Sequence, residues 1–137
     1  MSHLDIVRAQ LRIDEGVRDK PYRDSVGKLT IGVGRNLDDK GLSPYEINVL
    51  LGNDITEAEA DAKALFPCFD RLSDNRKAVL VNMSFNLGRS RLSEFKRFIA
   101  AVEAGAWEQA AAEALDSRWA EQVGIRAKRL AQQMREG

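Results

Sequence analysis

The stretch IDEGVRDKPYRDSVGKLTIGVGRN, residues 13–36, decides the fold of this chain. Its first residues close a segment with helical apolar periodicity, and Gly16 is a typical helix stop. Beyond Pro21 the residues favour strands, and Gly27 marks a turn between them. We therefore expect a helix followed by a small antiparallel sheet. Strands this short are marginal alone and need helices to pack on.

Two helices are expected after the sheet. Ser43 and Glu46 form a capping box with proline at the first helical position, and Gly52 is expected to close that helix. A second capping box at Thr56 opens the next helix, which Pro67 ends or kinks.

The second half of the chain is expected to be helical throughout. A long helix from about residue 73 to 87 has Val79, Leu80, Met83 and Leu87 spaced for burial. It is also apolar on more than one face, which is typical of the central helix of a lobe. Capping and stop residues then predict four further helices: from 90 or 93 to 104, 107–115, 117–121 and 125–135.

Length and composition limit the possible functions. A chain of 137 residues with 44% hydrophobic side chains is expected to form one domain. Residues 1–70 are net acidic and residues 71–137 net basic, which fits either an anionic polymer as partner or a normally solvated surface. The single histidine and single cysteine, His3 and Cys68, exclude a disulfide and the usual zinc shell, so we expect no metal and no cofactor.

Membrane insertion and secretion are not expected from the sequence. No apolar run approaches the roughly 20 residues that span a bilayer. The N-terminal residues lack the apolar core of a signal peptide, so we expect the protein to accumulate in the cytoplasm where it is made.

Three side chains in the opening stretch could carry chemistry: Glu15, Asp24 and Thr30. Cutting a glycosidic bond needs one carboxyl group that is protonated and a second that is ionised and holds or activates water. Spacing alone is weak evidence, because the chain has 21 carboxylates and most must be solvated surface groups. On spacing alone, surface charges near a turn are the favoured interpretation.

The longer string changes that interpretation. LRIDEGVRDKPYRDSVGKLTIGVGRN, residues 11–36, closely resembles the start of the lysozymes of T-even-type bacteriophages, glycoside hydrolase family 24. That family has a Glu, eight residues, an Asp or Cys, five residues, then a Thr. The resemblance continues, in order, with NRKAVLVNMSFNLG (75–88), SRW (117–119) and RAKR (126–129).

The resemblance implies roles for individual residues. Glu15 would be the general acid, and Asp24 would position or deprotonate water with help from Thr30, inverting the anomeric centre. Arg126 matches an arginine that pairs with the catalytic glutamate. Phe85 matches an aromatic residue lining the cleft, although its helical spacing fits a core role almost as well. The substrate would be peptidoglycan, cut at the β-1,4 bond from N-acetylmuramic acid to N-acetylglucosamine.

The resemblance also implies the fold. We expect a mainly helical α+β, lysozyme-like single domain with an active-site cleft between two lobes. The small-sheet lobe would span about 14–60. The helical C-terminal lobe would span about 70–137 and include the first helix, 3–13.

Three positions depart from the family pattern. Arg35 stands where the family has a histidine that pairs with an aspartate. Asn36 and Glu113 occupy positions expected to contact substrate, and the charge of Glu113 differs from the amide that the family can have there.

The sequence is compared with four possible functions. The leading hypothesis is a phage or prophage endolysin, a monomeric muramidase that waits in the host cytoplasm for a separate membrane pore, a holin. A lytic transglycosylase needs a glutamate but no water-holding Asp and Thr. A non-catalytic wall-binding protein would not need all three catalytic positions. A nucleic-acid binder, based on the basic RAKR and NRK segments, is disfavoured by the zero net charge.

Overall fold

The computed structural model describes all 137 residues. Its elements follow one another as α1 (His3–Glu15), β1 (Arg18–Arg23), β2 (Leu29–Gly32), β3 (Arg35–Asn36), α2 (Pro44–Leu65), a 3₁₀ turn (Phe69–Arg71), α3 (Asp74–Leu87), α4 (Arg89–Ser93), α5 (Lys96–Glu103), α6 (Trp107–Leu115), α7 (Arg118–Val123) and α8 (Ile125–Glu136). None of these helices combines the length and apolar character needed to cross a membrane.

The chain divides into two compact units, Met1–Val49 and Leu50–Gly137. The first holds α1, the sheet and the start of α2, and the second holds the remaining helices. The grouping of residues 3–13 with the helical lobe stays a prediction.

The first unit has the helix and small sheet expected from residues 13–36. A full capping box at Ser2 and Asp5 begins α1, and Gly16 ends it with its N–H on the Arg12 carbonyl. The three strands are antiparallel in the order β1-β2-β3. Thr30 pairs with Tyr22 on one side and with Asn36 on the other, which places it in the middle strand of the sheet.

The expectation of two helices between Ser43 and Pro67 is wrong, because α2 is continuous from Pro44 to Leu65. Gly52 lies inside it, and the Thr56 hydroxyl donates back to the Gly52 carbonyl at 3.0 Å instead of capping a new helix. A glycine inside a helix costs only about 1 kcal/mol relative to alanine. Burial of Ala58 and Ala62 in the second half of α2 offsets that cost.

The predicted buried face of α3 is confirmed, whereas its central position in the helical lobe stays a prediction. Val79, Leu80, Met83 and Leu87 are all buried in one core cluster. Edge-to-face aromatic pairs link Phe95 to both Phe98 and Trp119 within this unit.

The helix expected from residue 90 or 93 is interrupted. It forms as two helices, α4 and α5, because the backbone at Phe95 leaves the helical region with ψ of 57°. The break lets Leu92 and Phe98, on either side of it, both be buried. Helices α6, α7 and α8 lie within two residues of the predicted bounds.

Candidate active site

Glu15 ends α1, and its side chain lies against Gly34. A Cβ placed on Gly34 would be 2.9 Å from Glu15 Oε2 and 3.0 Å from its Cδ. Gly34 also has a φ of +67°, which residues with a Cβ rarely adopt. The candidate acid therefore lies directly against the backbone at Gly34.

Asp24 forms the turn between β1 and β2. Its Oδ1 accepts hydrogen bonds from the Val26 N–H at 3.0 Å and the Lys28 N–H at 2.8 Å. Its own N–H donates to the Lys28 carbonyl at 2.9 Å, and its carbonyl accepts from Gly27 at 3.0 Å. The side chain is half-buried, and the hydrogen bonds of the turn leave Oδ2 free to bind another group.

Thr30 is the buried polar residue of the sheet, with 3% of its surface exposed. Its hydroxyl donates to the Lys28 carbonyl at 2.9 Å, so the oxygen keeps its acceptor capacity. Lys28 thus contacts both candidates, since its N–H binds Asp24 and its C=O binds Thr30. The side chains of Asp24 and Thr30 therefore both bind the backbone of one hairpin residue, Lys28.

Arg35, in β3, pairs with Glu46 in the first turn of α2. The Arg35 guanidinium donates to Glu46 Oε1 at 2.7 Å and lies 2.6 Å from Oε2, a two-pronged ion pair. It also donates to the Gly41 carbonyl at 3.2 Å. The Arg35 hydrogen bond, followed by that from the Ser43 N–H, lowers the pKa of Glu46 to about 2.

Asn36 uses its amide within the first unit. Its Nδ2 donates to Asp39 Oδ2 at 3.0 Å, and its Oδ1 accepts from the Asp39 N–H at 2.9 Å. Lys28 also donates to Asp39, and this bond, followed by the one from Asn36, lowers the pKa of Asp39. Asn36 therefore shapes the turn after β3, and its contact with substrate stays a prediction.

In the second unit, Arg126 is held by Asn82. Its Nε and one terminal nitrogen both donate to Asn82 Oδ1, at 3.1 and 2.7 Å.

Phe85, on the same helix as Asn82, is 47% exposed, so the core role considered for it is wrong. Arg126, Asn82 and Phe85 line a mostly apolar cavity of about 310 Å³. The pairing of Arg126 with Glu15 stays a prediction.

Glu113, on α6, lines a separate cavity of about 480 Å³. Both signs of charge surround it, with Lys96 and Arg97 from α5 and Asp116 from the end of α6. The cavity has room and charge for a polar ligand, and the role of Glu113 in binding substrate stays a prediction.

Sequence reasoning missed two partners in these arrangements. Glu46 was recognised only as a capping residue. Asn82 lies within the quoted string 75–88, but nothing in its spacing indicates a contact with α8. Only the folded backbone brings such distant residues together. No group of three or more His, Cys, Asp or Glu side chains lies close enough to hold a metal ion.

Comparison with known proteins places the chain among lysozymes. The sequence model of the family described as phage lysozyme matches residues 12–136. "Probable T4-type lysozyme 2" and "Probable T4-type lysozyme 1" of Dictyostelium discoideum are each 26% identical over 153 residues, covering 90% of both chains. "Pre-baseplate central spike protein Gp5" of Enterobacteria phage T4 is 27% identical over 148 residues, which is 88% of this chain and 26% of that protein.

A three-stranded antiparallel sheet in one unit and a helical second unit define a mainly helical α+β fold of the lysozyme-like class. The matched residues include every candidate site residue from Glu15 to Arg126. The chain belongs to the phage lysozyme family.

Proposed function

We propose that this protein is a muramidase that hydrolyses the β-1,4 bond from N-acetylmuramic acid to N-acetylglucosamine in bacterial peptidoglycan. Glu15 protonates the leaving oxygen, and Asp24 binds and activates the attacking water. Thr30 orients that water, and the anomeric centre inverts. Membership of the phage lysozyme family supports the class of reaction.

The observation that carries the division of roles is the hairpin around Lys28. Two backbone N–H groups fix Asp24 Oδ1, so Oδ2 is free to accept a proton from water. The Thr30 hydroxyl donates to the Lys28 carbonyl, which leaves its oxygen able to accept a hydrogen bond from the same water. A lytic transglycosylase would have no use for this water-holding pair, because its product closes on an internal hydroxyl.

Product analysis on purified peptidoglycan tests the reaction. Digestion in ¹⁸O-labelled water should place one labelled oxygen at the reducing end of muramic acid, and NMR of fresh product should show the α-anomer. Anhydro-muramic acid without label would overturn hydrolysis in favour of transglycosylation. If the fresh product is the β-anomer, inversion is refuted but hydrolysis is not.

The role of Glu15 is tested by Glu15→Gln. Removing the acid should lower kcat by at least about 100-fold while the melting temperature stays near that of the parent. Glu121→Gln, which changes an exposed carboxylate on α7, is the matched control and should keep full activity. Full activity of Glu15→Gln would refute the assignment of the acid.

We further propose that the protein acts as an endolysin for host lysis, as a monomer made in the host cytoplasm and released through a separate holin. Bacteria expressing it in the cytoplasm should stay intact until their inner membrane is permeabilised, and should then lyse within minutes. Lysis before permeabilisation would contradict the need for a separate pore. Light scattering of the purified protein would reveal any dimer.

A further inference from the structure

The position of the Glu15 side chain depends on where the backbone at Gly34 lies. It fills the space that a Gly34 Cβ would occupy, so a small displacement of that backbone moves the surface against which the carboxylate rests. Whatever fixes the backbone at residue 34 therefore also fixes the candidate acid.

Strand pairing alone gives residue 34 little support. Gly34 lies outside the strands, between β2 and β3, and β3 has only two residues. Two register pairs hold β3 to β2, Ile31 with Arg35 and Thr30 with Asn36. A strand this short is marginally stable by itself.

The next residue along the chain supplies a stronger attachment. Arg35 donates to the Gly41 carbonyl and to Glu46 Oε1, and it forms an ion pair with Glu46 Oε2. Glu46 Oε1 also accepts from the Ser43 N–H at 2.9 Å. Through Glu46, Arg35 is joined to the capping box that starts α2. The residue that follows Gly34 is thereby tied to a helix N-terminus.

We propose that Arg35 is a positioning residue for the candidate acid: its ion pair with Glu46 fixes the Gly34 backbone against which the Glu15 carboxylate is held. This inference rests on the proposed function, in which Glu15 is the general acid. Arg35 itself touches no reacting atom in this role.

Arginine suits this role for two physical reasons. Its planar guanidinium can bind both carboxylate oxygens and a carbonyl at once, which a lysine ammonium cannot reproduce with the same geometry. It also stays charged throughout the pH range in which an enzyme works. The position of Gly34 is then insensitive to pH near neutrality.

The test is a separation of kcat from KM in three variants, Arg35→Met, Arg35→Lys and Glu46→Gln. Glu46→Gln keeps an oxygen that can accept from Ser43 but loses the charge. Misplacement of a catalytic group by about 1 Å can cost on the order of 100-fold, so kcat should fall about 10- to 100-fold in Arg35→Met and Glu46→Gln with KM nearly unchanged. Arg35→Lys should recover only part of the loss.

Arg135→Met is the matched control, because it removes an arginine from another ion pair, that with Glu108 at 3.2 Å in the second unit. It should leave kcat unchanged. All rates are measured below the melting temperature of each variant. A kcat of Arg35→Met or Glu46→Gln within twofold of the parent would show that the pair is merely structural and would overturn the inference.

A double-mutant cycle tests whether Arg35 acts through Gly34. Gly34→Ala places a Cβ against Glu15, so adding Arg35→Met to it should cost little further kcat. If the two substitutions together lower kcat by the product of their separate effects, Arg35 and Gly34 act independently, and the inference is overturned. Gly105→Ala is the steric control: its φ of +69° matches that of Gly34, but its Cβ would meet only Trp107, at 3.8 Å.

A readout without substrate separates this inference from the proposed function. In protein labelled with ¹³C at glutamate side chains, the Glu15 carboxyl resonance should shift in Arg35→Met and stay in place in Arg135→Met. An inactive parent protein would refute the proposed function and leave this measurement valid. An unchanged Glu15 resonance would overturn the positioning role even if the parent is fully active.

Discussion

Asp24 and Thr30 are joined through the backbone of one residue, Lys28. The Lys28 N–H donates to Asp24 Oδ1 at 2.8 Å, and its carbonyl accepts from the Thr30 hydroxyl at 2.9 Å. The hairpin therefore fixes both groups before any substrate arrives. Pre-arranged groups of this kind spare the cost of ordering them during the reaction.

Asp24→Asn should separate the charge of Asp24 from its structural role. The amide oxygen can still accept from Val26 and Lys28, so the turn should keep its shape. Because the asparagine amide cannot take a proton from water, kcat should fall by about 100-fold or more. Activity on peptidoglycan and the melting temperature, measured together, check this.

Asp24→Ala is the comparison, because it removes both the charge and the acceptor. It should match Asp24→Asn in lost activity and also melt at a lower temperature, since two N–H groups lose their partner. Near-parental activity in Asp24→Asn would contradict the role given to Asp24.

Local signals explain why much of the first unit could be predicted. The end of α1 depends on Gly16, and the sheet depends on strand-forming residues around the turn at Gly27, all close in sequence. The pairing of Arg35 with Glu46 spans eleven residues and depends on where α2 begins relative to β3. Capping residues alone could not reveal that Glu46 has this second partner.

The error in α2 has a different cause. Gly52 and Thr56 are both typical boundary residues, and their preferences predicted a break. Their preferences are worth about 1 kcal/mol each. Burial of Ala58 and Ala62 in the second half of the helix stabilises the continuous form, and sequence periodicity does not weigh these terms against each other.

The pair of Arg35 and Glu46 should make stability depend on acid pH. Glu46 has a pKa of about 2 in the folded protein, against an ordinary value of 4.5. The unfolded chain therefore binds the proton more readily, and the stabilisation is complete above pH 4.5. It is lost as the pH falls from 4.5 towards 2.

Thermal melts of the parent protein and Glu46→Gln across this range check the sign. The parent should melt at a higher temperature above pH 4.5, and the difference should shrink steadily as the pH approaches 2. If the difference in melting temperature between the parent and Glu46→Gln stays constant with pH, loss of the ion pair is not the cause of the lower stability of Glu46→Gln.

Arg76 should be a larger contributor to stability than other surface arginines of the second unit. Its guanidinium lies 3.9 Å from the centre of the Trp107 ring and donates to the carbonyls of Met134 and Arg135 at 2.8 and 2.9 Å. It thus satisfies carbonyls at the end of α8 that lack helical partners. Arg76→Met should lower the free energy of unfolding by about 1–3 kcal/mol.

Denaturant unfolding of Arg76→Met and Arg135→Met checks this comparison. Arg135 makes one exposed ion pair, and its loss should cost less than about 1 kcal/mol. Arg76→Lys should resemble Arg76→Met more than the parent, because lysine cannot stack and donate to two carbonyls together. Equal effects of Arg76→Met and Arg135→Met would refute the special role of Arg76.

Cys68 should report on unfolding of the second unit. The thiol is buried, and burial, followed by the hydrogen bond with Glu103, raises its pKa to about 11. At about pH 8 the folded protein should resist iodoacetamide, because the thiolate is the reactive form.

The unfolded Cys68 thiol has an ordinary pKa of 9.0, so it loses its proton first and stability should fall as the pH rises from 9.0 towards 11. Labelling followed by mass spectrometry should therefore show alkylation that accelerates with denaturant and with alkaline pH. Rapid alkylation of the folded protein at about pH 8 would contradict the burial of Cys68.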